Sequence, residues 1–146
     1  MVRILISYAS YSGNTKETAA LIENKCRLEG FEVDMHRIRP RATEVPDLSS
    51  YDILLIGSFT WHKGSTPPIV KDFVYNIGYK PPNVFVFGTG DTQFGGDELF
   101  CRACDRLAAF YKSPLPPLKI EQSPRGSQEN QVVKWTEGVL NHCNHC

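Results

Sequence analysis

The stretch that decides the fold is Ser10-Tyr11-Ser12-Gly13-Asn14-Thr15, which joins an apolar segment to a helical one. Residues 2–8 before it are rich in β-branched side chains and predict a buried strand, whereas residues 16–29 after it predict a helix. The first N–H groups of a helix have no intrahelical acceptor, and the helix dipole places partial positive charge there. A turn at this junction is therefore a natural site for an anion.

The side chains of this turn indicate what kind of anion it takes. Ser10, Ser12 and Thr15 supply three hydroxyls, and Gly13 allows the backbone to close on a ligand. The turn contains no Lys or Arg, and it matches neither a P-loop nor a Gly-x-Gly-x-x-Gly motif. We therefore predict one terminal phosphate rather than a triphosphate or a bridging pyrophosphate. The alternative is a polar turn that only caps the helix.

Length and charge limit the remaining possibilities. The chain has 146 residues, which suits a single domain over residues 1–146 with one core. Lys and Arg together number 16, as do Asp and Glu, and a net charge of zero argues against a nucleic-acid-binding protein. Arg3 interrupts the only apolar run near the N-terminus, and no run is long enough to span a membrane. We expect a cytoplasmic protein with no membrane partner.

One basic cluster, His36-Arg37-Ile38-Arg39-Pro40-Arg41, stands out from this neutral background. Charged residues on an edge strand discourage edge-to-edge aggregation, and that is one interpretation of the cluster. The other interpretation is a docking patch for an acidic partner.

The cysteines offer a candidate metal site. Cys101/Cys104 and Cys143/Cys146 are two C-x-x-C pairs, with Cys26 left over, and such spacing is compatible with zinc. However, the first pair falls inside a helical pattern with Cys104 on the apolar face, and the second pair closes a C-terminus of the kind that often frays. We predict that the two pairs lie at opposite ends of the fold and share no metal, and that the thiols are reduced.

The rest of the chain alternates strand and helix patterns. Predicted strands cover residues 2–8, 31–38, 53–57, 84–88 and 115–120; predicted helices cover 16–29, 67–77, 97–111 and 127–141, with Thr66 as the cap and Pro67 as the first residue of the second helix. This βα alternation predicts an α/β, doubly wound, five-stranded parallel sheet with right-handed crossovers and helices on both faces. In such folds ligands bind beyond the carboxyl ends of the strands.

Two further loops are predicted at that edge. They read Ser58-Phe59-Thr60-Trp61-His62-Lys63-Gly64 and Thr89-Gly90-Asp91-Thr92-Gln93-Phe94-Gly95-Gly96. Each carries an aromatic ring among small and polar residues, and two rings facing across a cleft suit a planar ring system. The alternative for either ring is packing against its own neighbours.

These three motifs in this order resemble a short-chain flavodoxin, and the resemblance covers essentially the whole chain. It implies strand order 2-1-3-4-5, non-covalent FMN and one-electron transfer between a reductase and an acceptor redox enzyme. By resemblance the first loop holds the FMN phosphate, Trp61 and Phe94 stack on the isoalloxazine, and the backbones around residues 60–64 and 90–91 meet its polar edge. We expect a low-potential carrier and a monomer.

The cofactor-binding residues predicted in this way are Ser10, Tyr11, Ser12, Gly13, Asn14, Thr15, Ser58, Phe59, Thr60, Trp61, His62, Lys63, Gly64, Thr89, Gly90, Asp91, Phe94, Gly95 and Gly96. No catalytic residue and no metal ligand is predicted, and His62 is interpreted as a tuning or surface residue rather than a general acid.

The chain departs from the family pattern in three respects. It is neutral where flavodoxins are commonly acidic, it has Phe94 where Tyr is frequent, and it has His62-Lys63 where Gly followed by an acid is frequent. These differences concern the redox potential and the partner rather than the fold.

Three functions other than electron transfer are compatible with a small α/β domain. A small FMN-dependent reductase of quinone-like substrates needs a substrate pocket and a nicotinamide site, for which 146 residues leave little chain. A phospho-receiver needs acids after the first strand and an acceptor Asp after the third, but residues 8–15 and 57–60 contain no acid. A flavin-free interaction module would be a colourless protein.

Overall fold

The computed structural model describes residues 2–10, 13–40, 45–60, 66–90 and 101–143. Five parallel strands lie in the order β2-β1-β3-β4-β5, which confirms the predicted fold and strand order. The elements are β1 (Arg3–Tyr8), α1 (Asn14–Leu28), β2 (Glu32–Arg37), a 3-10 turn (Leu48–Ser50), β3 (Ile53–Phe59), α2 (Pro68–Ile77), β4 (Val84–Gly90), α3 (Arg102–Tyr111), β5 (Leu118–Glu121) and α4 (Ser127–Cys143).

The sheet separates two apolar cores, because successive side chains of a strand point to opposite faces. In β1, Ile4 and Ile6 pack in the core beneath α1 and α4, whereas Leu5 packs in the core beneath α2 and α3. All three side chains are at most 1% exposed. The central strands are therefore apolar on both faces, as a covered parallel sheet requires.

The register brings the carboxyl ends of the central strands together. Tyr8 is paired with Gly57, and Phe59 is paired with Thr89. The predicted edge strands are confirmed at β2 and β5, which flank the sheet. Among the helices of the described ranges, none has both the length and the apolar character needed to cross a membrane.

Two predicted strand ends were wrong. Strands β3 and β4 continue for two residues past Gly57 and Gly88, so that Ser58, Phe59, Thr89 and Gly90 belong to strands rather than loops. A Cβ on Gly57 would meet the ring of Phe87. These glycines allow close packing inside the sheet and do not end the strands.

Other helix and strand starts also differ from the prediction, and α1 begins at Asn14 rather than at residue 16. Thr66 does not cap α2: the N-cap is Pro67, and the helix begins at Pro68. The residue before a proline is disfavoured in the helical region, which keeps Pro67 extended at ψ 142°. Cys101 is left-handed at φ 50°, and the described helix begins at Arg102, whereas the predicted start at residue 97 lies outside the described residues. Strand β5 begins only at Leu118, after two prolines that lack an N–H for the ladder.

Candidate functional site

The candidate site lies at the carboxyl edge of β1, β3 and β4. Two backbone hydrogen bonds continue the pairing there: Ala9 N–H donates to the Gly57 carbonyl at 2.9 Å, and Thr60 N–H donates to the Thr89 carbonyl at 3.2 Å. The described members of the predicted site all lie in or next to these elements, namely Ser10, Gly13, Asn14, Thr15, Ser58, Phe59, Thr60, Thr89 and Gly90. The following predicted site residues lie outside the described residues: Tyr11, Ser12, Trp61, His62, Lys63, Gly64, Asp91, Phe94, Gly95 and Gly96.

The turn before α1 is held by Ser10. Its Oγ accepts hydrogen bonds from Gly13 N–H at 3.1 Å and from Lys16 N–H at 3.4 Å. Because both contacts use the oxygen as acceptor, the hydroxyl hydrogen of Ser10 remains available to an anion. Gly13, the N-cap, has φ 94°, a conformation that favours glycine and turns the chain into the helix.

A buried pair of hydroxyls connects this helix to β4. Thr15 Oγ1 and Thr89 Oγ1 are 2.9 Å apart, and the two residues are 1% and 3% exposed. The pair joins the first and third predicted loops at their roots, and it fixes the start of α1 relative to the end of β4. The sequence indicated both residues but not their contact, because the two residues are 74 positions apart in the sequence.

Two hydroxyls at the end of β3 behave differently from each other. Ser58 is buried, and its Oγ donates to the Phe59 carbonyl at 2.7 Å. Thr60 Oγ1 is buried and has no hydrogen-bond partner among the described residues. A buried hydroxyl without a partner is destabilising by about 1–3 kcal/mol. Its position at the ligand edge of the sheet fits a hydrogen bond to the polar edge of a bound ring.

The described site is electrically neutral. None of the nine described site residues carries an ionisable side chain. An anion in this part of the site would therefore be held by amides, hydroxyls and the helix dipole rather than by an ion pair. That donor set fits the single terminal phosphate of a mononucleotide cofactor.

Sequence reasoning missed the packing of α3 against the end of β4. A Cβ on Gly88 would meet both Cys104 Sγ and the Ser58 carbonyl oxygen, so glycine allows α3 to approach β3 and β4 closely. Cys104 is fully buried, and its hydrogen bond with Cys101, together with burial, raises its pKa well above the ordinary value. The thiol is therefore neutral and serves as packing.

Cys101 and the end of α4 lie near opposite edges of the sheet. Cys101 Sγ contacts the Ile120 carbonyl at 3.9 Å near the carboxyl edge of the sheet. At the other end, the ring of His142, next to Cys143, lies 5.6 Å from the ring of Phe85 near the start of β4. Cys146 lies outside the described residues. Within the described ranges no group of three His, Cys, Asp or Glu side chains is placed to hold a metal ion.

Comparisons with known sequences all identify the same family. The family model described as Flavodoxin matches residues 6–114. Probable flavodoxin 2 of Bacillus subtilis is 35% identical over 146 residues, which cover 92% of this chain and 92% of the relative. Probable flavodoxin 1 of the same organism is 32% identical over 152 residues, which cover 96% of this chain and 91% of the relative.

Comparison with solved structures agrees. The crystal structure of oxidised Flavodoxin 2 from Bacillus cereus superimposes with a TM-score of 0.82 at 30% identity, covering 97% of this chain and 99% of that one. The sheet order, the neutral, hydroxyl-rich turn before α1 and the matched family model lead to one conclusion. This chain belongs to the flavodoxin family, whose members bind FMN and transfer electrons rather than act as enzymes.

Proposed function

We propose that this protein is a low-potential, FMN-containing carrier that takes one electron at a time from a reductase and delivers it to an acceptor redox enzyme. We further propose that it acts as a cytoplasmic monomer with a single domain over residues 1–146. The observation that carries the proposal is the neutral, hydroxyl-rich edge where Ser10, Gly13 and the start of α1 meet the ends of β3 and β4.

The proposed roles follow from the donors at that edge. The turn of residues 10–15 holds the phosphate, with Ser10 Oγ–H and the first N–H groups of α1 as donors. The unpartnered Thr60 hydroxyl and the backbone around residues 60–64 and 90–91 meet the polar edge of the ring. Trp61 and Phe94 stack on its faces. Bound FMN supplies the electron-accepting chemistry, and the chain supplies binding and orientation.

The buried contacts behind the edge support a rigid site. The Thr15–Thr89 pair links two of the three loops, and Gly88 allows α3 to pack against their base. A site on rigid elements holds its ligand in one orientation, which a carrier needs so that the same flavin edge meets each partner.

Electron transfer can be tested by coupled reduction. The FMN-loaded protein is mixed with NADPH, a flavodoxin reductase and cytochrome c. We expect cytochrome c reduction that requires both the reductase and this protein, and that increases with the concentration of this protein. Omission of the reductase is the control. Rapid NADPH oxidation in its absence, accelerated by a quinone, would instead assign the protein to the reductase class.

A further inference from the structure

A groove of about 690 Å³ runs between α2 and α3, on the face of the sheet opposite α1 and α4. The side chains that matter for its chemistry are Lys71, Tyr75, Tyr79, Lys80, Arg106 and Phe110. Lys71 and Tyr75 are four residues apart on α2, as are Arg106 and Phe110 on α3, so each helix presents one continuous stripe to the groove. None of these residues belongs to the predicted FMN site.

The groove concentrates the exposed aromatic surface of the described chain. Tyr75 is 84% exposed, Tyr79 is 55% exposed and Phe110 is 44% exposed. The fourth large apolar side chain that is exposed in the described residues, Leu28, lies on α1. Large apolar side chains that cluster on a surface mark interaction sites, and Tyr is among the residues that most often dominate binding energy.

The same groove is positively charged. Lys71, Lys80 and Arg106 have no acidic partner among the described residues, and no described Asp or Glu lines the groove. Lys80 Nζ lies instead 4.2 Å from the centre of the Phe110 ring, a cation–π contact at one wall. Three cations without counter-charges favour an occupant that brings carboxylates.

We propose that this groove docks an acidic amphipathic helix of a partner protein. The ten residues of α2 give the groove a length of about 15 Å, which accommodates roughly three helical turns. The apolar face of the incoming helix covers the three aromatic rings, and its flanking carboxylates pair with the three cations. A second copy of this chain is a poor occupant, because a two-fold interface centred on the groove would bring like charges together.

The docking groove is independent of flavin binding, since it shares no residue with the FMN site. Thr66 lines the end of the groove nearest the carboxyl edge of the sheet, whereas Tyr79, Lys80 and Phe110 lie where α2 and α3 end. A partner helix in the groove would therefore extend from near the predicted cofactor edge toward the far side of the domain.

The peptide-binding specificity of the groove can be determined without knowing the partner. A phage-displayed library of random 16-residue peptides is selected on the full-length, FMN-loaded protein. We expect enrichment of peptides that combine Asp or Glu with aromatic or aliphatic residues at helical spacing. Failure to enrich acidic peptides, or selection of basic ones, would overturn the proposal.

The site of binding is then mapped with a labelled consensus peptide and fluorescence anisotropy. Lys80→Glu/Arg106→Glu should weaken binding about tenfold or more, because two attractions become repulsions. Arg125→Glu/Lys134→Glu makes the same change in net charge at exposed positions away from the groove, and it should change affinity by less than about twofold. Tyr75→Ala, at a residue too exposed to support the fold, should also weaken binding about tenfold.

Two results would contradict the assignment. Equal loss of affinity in the groove variant and in the control variant would show that the peptide responds only to net charge. Sedimentation of the wild-type protein as a dimer that Lys80→Glu/Arg106→Glu dissociates would assign the groove to a second copy of the chain.

Discussion

The buried hydroxyl pair Thr15–Thr89 should stabilise the fold as a unit rather than as two separate residues. The two oxygens are 2.9 Å apart and nearly inaccessible, at 1% and 3% residue exposure. Valine has nearly the shape of threonine without the hydroxyl. Thr15→Val or Thr89→Val alone therefore leaves one buried hydroxyl without its partner, whereas the double replacement removes both.

The expected magnitudes follow from that difference. Leaving one buried hydroxyl unsatisfied should lower the free energy of unfolding by about 1–3 kcal/mol in either single variant. Removing both hydroxyls together should be nearly neutral. Because each single variant loses about 1–3 kcal/mol and the double variant almost nothing, the double-mutant cycle should give an interaction energy of about 2–6 kcal/mol in magnitude, larger than the deviation of about 0.3–0.5 kcal/mol seen for independent sites.

The assay is urea denaturation of the FMN-free proteins, followed by circular dichroism. Thr136→Val is the matched control, because the buried Thr136 hydroxyl donates to the Val132 carbonyl at 2.8 Å and leaves no partner hydroxyl behind. We expect the losses in free energy of unfolding caused by Thr136→Val and by Thr15→Val to add up in the double variant. If Thr15→Val and Thr89→Val are also additive with each other, the hydroxyl pair does not couple α1 to β4, and the reasoning is refuted.

Three further predictions concern the fold around the site. Gly88→Ala should lower the free energy of unfolding by about 1–3 kcal/mol or more, because the added Cβ would meet Cys104 Sγ and the Ser58 carbonyl. An unchanged midpoint of urea unfolding would contradict this packing. An alkylating reagent should modify Cys26, Cys101 and Cys104 only after denaturation, because all three are buried and burial raises the pKa of Cys26 to about 12. Detection of these labelled cysteines by peptide mass analysis of the native protein would refute this. Burial lowers the pKa of His36 below its ordinary 6.5, so the unfolded state binds a proton more readily than the folded state. The free energy of unfolding should therefore fall as pH decreases below 6.5, and His36→Asn should reduce this pH dependence. The same pH dependence in the wild-type protein and the variant would contradict the prediction.

Much of this fold could be predicted from periodicity. The apolar runs of β1, β3 and β4 and the βα alternation were enough to predict a parallel sheet with ligands at one edge. The strand order came from the family resemblance, since alternation alone does not fix which strand is central.

Boundaries that depend on tertiary contacts could not be predicted. Gly57 and Gly88 were interpreted as strand ends because the apolar runs stop there, whereas in the structure they make room for Phe87 and Cys104. Likewise, Thr66 has the chemistry of a cap, but the two following prolines move the helix start to Pro68. In each case the boundary depends on atoms of a neighbouring residue, which the local hydrophobic pattern does not reveal.

The candidate site was predictable at the level of loops but not of contacts. The hydroxyls of Ser10 and Thr15 were assigned to a ligand, and the structure shows that Ser10 also holds the turn and that Thr15 contacts Thr89. The unpartnered hydroxyl of Thr60 had no sequence signal, because burial and the lack of a partner are properties of the folded chain.

The most direct test of the proposed site compares FMN with riboflavin, which lacks the phosphate. Dissociation constants of both ligands are measured by fluorescence titration for the wild-type protein and for Thr15→Ala. Thr15 Oγ1 can accept a hydrogen bond from Thr89 Oγ1 and still donate its own hydrogen to the phosphate. Since a hydrogen bond to a charged acceptor contributes about 1.5–3 kcal/mol, the variant should weaken FMN binding by roughly one to two decades and leave riboflavin binding almost unchanged. An equal loss for both ligands would contradict the assignment of the phosphate to residues 10–15.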